Sequence, residues 1–222
     1  MNVKDMLRQA SDAAKQLITL SDQTIIGILK ETAQVLRTHT EEVLAANRQD
    51  LERMDPANPK YDRLKLTEER LQGIAADMEN VSTLPSPLNK VLSETIRPNG
   101  MVIRKVTVPF GVIGVIYEAR PNVTFDVFSL CFRRTKGCLQ KGASDADFSN
   151  RALVRIIHSV LERQGINPAV CTLLPPDREA TAELLGAVGL VDLIIPRGSS
   201  SLIHFVREHA KVPVIETGAG IC

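Results

Sequence analysis

Apolar residues near the start of the chain recur every three or four positions, which is the spacing of an amphipathic α-helix. The pattern covers residues 2–54 and weakens near 19–21, so we predict two helices with a break there. Its apolar positions are Ile25, Ile28, Leu29, Val35, Leu36, Val43 and Leu44. Pro56 and Pro59 then predict a loop, because proline cannot donate a backbone hydrogen bond. Thr67 is a residue type that caps helices, so a further helix is predicted to begin there.

The pattern changes to that of β-structure after residue 90. Two strand-like segments, 93–97 and 101–108, flank the tripeptide Pro98-Asn99-Gly100. An Asn-Gly pair favours a tight hairpin turn. The second segment partly alternates apolar and polar residues, so we expect one of its faces to be exposed or to meet another subunit.

Short apolar runs alternate with helical patterns in the rest of the chain. We predict strands at 112–117, 137–141, 170–174, 191–195 and 212–215, and helices at 123–134, 145–164, 177–187 and 199–210. Apolar runs without alternation suit strands that are buried on both faces. Because strands and helices take turns, we predict an α/β fold with a parallel sheet, right-handed crossovers and helices on both faces of the sheet.

The composition argues against several classes of function. The chain has 27 basic and 26 acidic residues, so bulk charge does not favour a nucleic-acid or membrane surface. Aromatic residues make up 4% and tryptophan is absent, which argues against a base-stacking surface. No apolar run has the length of a membrane span, and the N-terminal stretch has no signal-peptide core. We therefore expect a cytoplasmic protein with reduced thiols.

The cysteines and histidines do not form a recognisable catalytic or metal-binding pattern. There is no CxxC pair, no zinc-like Cys/His spacing and no GxSxG motif. Cys131, Cys138 and Cys171 lie in predicted helices or strands, and we interpret them as small buried residues. The helical histidines, His158, His204 and His209, are interpreted as surface or packing residues.

Polar residues that could bind a ligand follow several predicted strands. Arg120 and Asn122 come after the strand at 112–117, and ligands of open α/β sheets bind at the carboxyl ends of strands. An ordinary turn is the alternative, and the pattern alone favours it. Both standard phosphate-loop signatures, GxGxxG and GxxxxGK[ST], are missing.

Three weaker motifs occur at later strand ends. Lys141 begins the sequence KGAS before a helix, where lysine and helix N-terminal amides suit a phosphate or ribose. In PRGSSS, Gly198 permits close backbone approach, and Ser199 can cap a helix and donate to a pyrophosphate. Glu216 begins ETGAG after the last strand. A Ser-rich helix start is usually only a cap and a strand-end glutamate is usually solvated, but three such motifs in one α/β order favour a phosphate-bearing ligand.

Four strings, in this order and spacing, resemble the gamma-glutamyl phosphate reductase family: VPFGVIGVIYEARPNVTFDV, the DADFSN–ALVRII helix, VDLIIPRG and VPVIETGAG. The resemblance covers the whole chain, N-terminal helices included. This family, also called glutamate-5-semialdehyde dehydrogenase, belongs to the aldehyde dehydrogenase superfamily and makes the second step of proline biosynthesis from glutamate.

The resemblance implies a Rossmann-type NADP-binding domain, a catalytic domain and a β-hairpin arm for oligomerisation. In this chain it implies an N-terminal helical region at 1–90, the hairpin arm at 91–110 and an α/β core at 111–222. The implied reaction is NADPH-dependent reduction of L-glutamyl 5-phosphate to L-glutamate 5-semialdehyde, with release of phosphate. A homo-oligomer and a functional link to glutamate 5-kinase are also implied.

The resemblance also assigns roles to single residues. Asn122 matches the asparagine that stabilises the developing oxyanion, and Glu216 matches the glutamate near the nicotinamide. The positions implied for cofactor binding are Lys141, Gly142, Ser144, Arg197, Gly198 and Ser199. Of these, Lys141 and Ser144 match positions near the adenosine ribose and its phosphate. Gly198 and Ser199 match the pair that faces the pyrophosphate.

Three departures from the family pattern modify these expectations. The sequence ends at Cys222, whereas the family's nucleophilic cysteine lies further on, so the chain resembles the first half of the enzyme and is expected to be inactive in reduction. RRTKGCLQKGAS is about one residue short and places Gln140 where an apolar residue is expected, which leaves the register of the strand with Lys141 open. Gly218-Ala219-Gly220 replaces the commoner Gly-Gly. A non-catalytic nucleotide-binding module and an interaction fragment are the alternatives.

Overall fold

The computed structural model describes residues 2–216, so Gly218, Ala219, Gly220 and Cys222 lie outside the described residues. Its strands are β1 (Val91–Ile96), β2 (Val102–Val106), β3 (Val112–Tyr117), β4 (Gly137–Lys141), β5 (Cys171–Leu173) and β6 (Leu193–Arg197). Its α-helices are α1 (Val3–Ala14), α2 (Asp22–Thr38), α3 (Thr40–Glu52), α4 (Tyr61–Leu64), α5 (Glu68–Thr83), α6 (Asn122–Phe132), α7 (Asp147–Arg163), α8 (Arg178–Leu185) and α9 (Ser200–His209).

A four-stranded parallel sheet in the order β5-β4-β3-β6 forms the centre of the fold. The chain runs from β3 outward through β4 to β5, and then returns to place β6 on the other side of β3. This reversal opens a crevice at the carboxyl ends of β3 and β6, where open α/β sheets bind ligands. The predicted α/β class with a parallel sheet is confirmed.

Helices cover both faces of the sheet because β3 buries its side chains on both sides. One face packs against α6 and α7, with α2 and α5 behind them. The other face packs against α1, α8 and α9. Ile113 and Val115 belong to the first core, while Val112 and Ile116 belong to the second. The apolar sequence of β3 therefore matches a strand that is covered by helices on both faces.

Among the strands predicted for the α/β region, the last two differ most from the structure. The strand predicted at 191–195 runs instead from Leu193 to Arg197, because its last two residues pair with Ile116 and Tyr117. Proline is tolerated in β6, which is the border strand of the sheet. At 212–215 the described residues contain only a single bridge, between Val214 and Ile194, in place of the predicted strand.

The N-terminal region contains one more break than predicted. The break near 19–21 is confirmed: a short 3₁₀ helix ends at Thr19, and Ser21 caps α2 by accepting a hydrogen bond from the N–H of Thr24. His39 separates α2 from α3, with φ −109° and ψ 21°. The apolar periodicity continues across this residue, so the pattern did not reveal the second break.

Buried hydrogen bonds attach these helices to the α/β core. Asn47 of α3 donates to the Oγ of Ser149 at 3.0 Å, and it also bonds backbone groups at the end of α4. Asp50 accepts from the N–H of Phe148 at 3.1 Å, the N–H of Ser149 at 2.8 Å and the Ser149 Oγ at 2.6 Å. Both side chains are buried. Asp50 thus satisfies donors in the first turn of α7 that would otherwise lack partners.

The predicted hairpin is confirmed as β1 and β2, paired antiparallel. Gly100 has φ +81°, and the Asn99 side chain accepts from the N–H of Met101 at 3.1 Å. Every residue of both strands is exposed, whereas for the second strand the pattern predicted one face that is exposed or meets another subunit. The hairpin therefore projects from the body of the chain.

Strand β4 forms at the predicted bounds and pairs regularly with β3 and β5. Gln140 is fully buried within it. Its amide donates to the carbonyl of Thr124 at 3.0 Å and accepts from the Tyr117 hydroxyl at 3.1 Å. Because both ends of the amide have partners, the sheet holds a polar residue at this position without an unsatisfied group.

Candidate functional site

The predicted site residues converge on the carboxyl edge of the parallel sheet. Asn122 follows β3, the sequence KGAS follows β4, and Gly198 and Ser199 follow β6. Because the strands are parallel, all three segments lie at the same edge. The crevice between β3 and β6 brings Glu118 and Ser199 into direct contact.

Ser199 holds an anion at this crevice. Its backbone N–H and its Oγ both donate to Oε1 of Glu118, at 3.1 and 2.6 Å. The bond from the Ser199 hydroxyl is the main reason that the pKa of Glu118 is lowered, and nearby Lys60 and Arg63 lower it further. Ser199 also caps α9, whose N-terminus favours negative charge. The arrangement can therefore stabilise a carboxylate or a phosphate.

Gly198 is required by this contact. A Cβ at residue 198 would lie 2.7 Å from Cδ and 2.8 Å from Cγ of Glu118. Glycine alone leaves room for the Glu118 side chain to approach the backbone this closely. Arg197, the preceding residue, ends β6 with an exposed side chain.

Lys141 is a buried cation at the end of β4. It is 7% exposed, and its ammonium group donates to the carbonyl of Gly142 at 3.2 Å. Within residues 2–216 it forms no salt bridge, and burial lowers its pKa although the charge of Asp177 partly opposes the shift. Gly142 lies against Asn150, whose Nδ2 would be 2.3 Å from an added Cβ. Ser144 is exposed at the start of the following 3₁₀ helix.

Asn122, the first residue of α6, lies at a charged cleft. Its Nδ2 donates to Oδ2 of Asp126 at 3.3 Å. Burial raises the pKa of Asp126, and the neighbouring Asp77 raises it further. The cleft has a volume of about 360 Å³. Its charged lining residues are Asp62, Arg63, Lys65, Arg70, Asp77 and Arg120. Asn122 can present an amide donor to a polar ligand in this cleft.

Glu216 is not joined to the other predicted site residues by a hydrogen bond among the described residues. Its Oε2 lies 3.7 Å from Nη1 of Arg207 on α9. Its role near a nicotinamide stays a prediction, as do the roles of Asn122, Lys141 and Ser199.

Sequence reasoning missed Glu118 and Asp126 as parts of the site. Glu118 directly follows the buried strand β3. The carboxyl end of the same strand is what makes Arg120 and Asn122 candidates. The position of β6 beside β3 was the missing fact, because it brings Ser199 to Glu118 across 81 residues of sequence.

The interpretation of Cys131, Cys138 and Cys171 as buried free thiols is confirmed. Within residues 2–216, no three His, Cys, Asp or Glu side chains are arranged to hold a metal ion. In the same part of the chain, every helix is too short or too polar to cross a membrane.

Comparison with known proteins identifies close relatives, although no protein-family model matches the chain. The chain is 97% identical over all 222 residues to the gamma-glutamyl phosphate reductase of Parabacteroides distasonis, and it spans 54% of that protein. It is 62% identical over 221 residues to the enzyme of the same name from Bacteroides thetaiotaomicron, of which it spans 53%. The chain thus covers about half the length of the curated relatives it matches.

Solved structures show the same similarity. The gamma-glutamyl phosphate reductase of Thermotoga maritima superposes with a TM-score of 0.94 and 32% identity, over 99% of this chain and 54% of that one. The glyceraldehyde-3-phosphate dehydrogenase GapN of Methanocaldococcus jannaschii, solved with NADP, superposes with a TM-score of 0.74 and 16% identity, over 99% of this chain and 46% of that one. The second similarity shows the fold alone.

Proposed function

We propose, from the premise that this chain belongs to the gamma-glutamyl phosphate reductase family, that it forms the NADPH-binding part of such an enzyme. The complete enzyme would reduce L-glutamyl 5-phosphate to L-glutamate 5-semialdehyde and release phosphate. This chain covers about half the length of its relatives, so we assign it cofactor binding and part of the reaction site.

The observation that carries the proposal is that Ser199, after β6, holds the carboxylate of Glu118, after β3. The Ser199 N–H and hydroxyl both donate to the Glu118 carboxylate, so these donors suit a negative group such as a phosphate, which supports the proposal. Lys141 supports the same conclusion, because its buried ammonium forms no salt bridge within residues 2–216, and such a group suits an anionic ligand. The residues at this edge therefore fit a phosphate-bearing dinucleotide.

We assign Gly198 and Ser199 to the pyrophosphate, with Arg197 beside them. Lys141, Gly142 and Ser144 are assigned to the adenosine ribose and its phosphate, and Glu216 to the nicotinamide side. When bound, NADPH would supply the hydride for the reduction.

Asn122 is assigned to the acyl group of the substrate. An amide N–H directed at the acyl oxygen stabilises the negative charge that develops there. Asp126 accepts one hydrogen bond from this amide and so fixes its orientation. The chain contains no residue that we assign as the nucleophile, so we expect the chain alone to be inactive in reduction.

The remaining assignments follow from the family. We propose a cytoplasmic enzyme that acts after a glutamate 5-kinase and forms a homo-oligomer through the β1–β2 hairpin. An interaction fragment without nucleotide binding is the second candidate. It is favoured by the full exposure of both hairpin strands.

A titration with NADPH, followed by nucleotide fluorescence, tests the cofactor assignment. We expect saturable binding that Lys141→Ala weakens about tenfold or more, because a charge-assisted contact is lost. Ser144→Ala should weaken binding by a smaller factor. Lys105→Ala and Ser93→Ala, both on the exposed hairpin, are matched controls and should bind like the parent.

The contrary result is absence of NADPH binding by a chain that circular dichroism shows to be folded. The interaction-fragment reading would then be preferred. Equal weakening by Lys141→Ala and Lys105→Ala would instead mean that binding depends on general positive charge.

A further inference from the structure

The donors of Ser199 are already used within the chain. Its N–H carries one hydrogen and its hydroxyl carries one hydrogen, and both are directed at Oε1 of Glu118. A phosphate cannot receive either hydrogen while this contact persists. Glu118 therefore competes with a nucleotide for the donors at the start of α9.

Glu118 also fills the space that Gly198 leaves open. Its Cγ and Cδ lie only 2.8 and 2.7 Å from the position that a Cβ of residue 198 would take. A glycine at such a position normally lets a ligand approach the backbone. Here the chain's own side chain makes that approach, so the phosphate and the Glu118 carboxylate require the same volume.

Charge prevents the two groups from sharing the crevice. The pKa of Glu118 is lowered by Ser199, Lys60 and Arg63, so the group is an anion at neutral pH. A carboxylate and a pyrophosphate side by side would repel each other. Glu118 is half-buried and lies on the loop after β3, so rotation of its side chain toward solvent would release the donors.

We propose that Glu118 is an internal competitor of the cofactor, which occupies the phosphate-binding donors of Ser199 and leaves them when the nucleotide binds. The inference rests on the proposed NADPH site. The apparent affinity is then reduced by the fraction of molecules in which Glu118 holds Ser199. A role as a brace, in which Glu118 keeps the Gly198–Ser199 backbone in shape for the cofactor, predicts the opposite effect of its removal.

A double-mutant cycle in NADPH titrations of the 222-residue chain separates these roles. Glu118→Ala should tighten NADPH binding about 3- to 10-fold, the worth of the hydrogen bonds that are released. Ser199→Ala alone should weaken NADPH binding by less than it does in the Glu118→Ala background, because in the parent the hydroxyl must give up Glu118 before it can bond the phosphate. In the Glu118→Ala background, Ser199→Ala should remove most of the gain.

Two further measurements make the result specific. Glu118→Gln keeps the shape of the side chain without its charge, and it should tighten binding less than Glu118→Ala. Glu68→Gln removes a carboxylate from the first turn of α5 and is the matched control. It should bind NADPH like the parent. Inorganic pyrophosphate should displace NADPH at lower concentration from Glu118→Ala than from the parent.

Unchanged or weaker NADPH binding by a folded Glu118→Ala variant overturns the competitor role. If Lys141→Ala still weakens binding in that case, the proposed cofactor function stands and only the inference fails. If no folded variant binds NADPH, both fail.

Discussion

Lys141 is a residue whose burial is unfavourable for the free protein. Its ammonium is taken out of water and bonded to one backbone carbonyl, and burial lowers its pKa more than the charge of Asp177 raises it. Replacing a poorly paired buried charge with an apolar side chain of similar length often stabilises a protein. The proposed role of Lys141 in ligand binding would account for this cost, because perturbed charges cluster at functional sites.

We expect Lys141→Met to raise the free energy of unfolding by about 1 kcal/mol at pH 7 while it weakens NADPH binding. The folded state disfavours the charged lysine, so the free energy of unfolding of the parent is reduced by the full amount at pH values below the lowered pKa of Lys141. It regains stability as the pH rises from there toward the pKa of about 10.4 in the unfolded chain. Urea unfolding at neutral and alkaline pH measures both effects.

Lys105→Met, on the exposed hairpin, is the control and should leave stability and its pH dependence unchanged. A Lys141→Met variant that is less stable than the parent at pH 7 would contradict the argument. It would show that the lysine has a structural partner.

At the scale of elements, the hydrogen bonds between Asp50 of α3 and the first turn of α7 form a clamp. This clamp joins the N-terminal helices to the sheet domain. Asp50 is buried, and desolvation raises its pKa although the bonds from Ser149 and Phe148 oppose that shift. The carboxylate is thus kept in the core by its three hydrogen bonds. Its removal would leave those donors without an acceptor.

Asp50→Ala is expected to lower the free energy of unfolding by about 2–3 kcal/mol, because buried donors without partners are costly. Asp147→Ala is the matched control, since Asp147 begins α7 but pairs with the exposed Arg151. It should cost about 0.5 kcal/mol or less. Urea denaturation measures the free energy of unfolding of both variants. Equal decreases for the two variants would contradict a stabilising role of the Asp50 hydrogen bonds.

Local pattern predicted most elements of this fold but not their contacts. Strand β3 and helices α6 to α9 lie within two residues of the predicted bounds, because the apolar runs and the caps that define them are local. The bounds of β6 depend on its pairing with β3, and they were wrong by two residues. Gln140 is explained only by Thr124 and Tyr117, which the fold brings to it.

The same distinction applies to the site. Asn122, Lys141 and Ser199 could be selected from strand ends and from family resemblance. Glu118 could not, because its significance depends on the topology that places β6 beside β3. Parallel neighbours in a sheet are separated by long crossovers, so their contacts leave no trace in local spacing.

At the scale of the whole molecule, two apolar surfaces of the described residues remain uncovered. One is a groove of about 700 Å³ between α5, α6 and the β3–β6 pair. The other is the β1–β2 hairpin, whose large apolar side chains Val91, Leu92, Ile96, Val102, Ile103 and Val106 are all exposed. An exposed two-stranded ribbon with apolar side chains and open edges favours pairing with another chain.

We therefore expect the chain to self-associate through the hairpin. Ile96→Asp should shift the protein toward monomer, because a charge would be buried in the contact between two hairpins. Ile18→Asp is a matched control: Ile18 is 66% exposed, close to the 68% of Ile96, but lies in the 3₁₀ helix after α1. Sedimentation velocity should show the Ile18 variant associating like the parent and the Ile96 variant dissociating. Equal association of all three proteins would place the contact on another surface, with the groove beside α6 as the next to test.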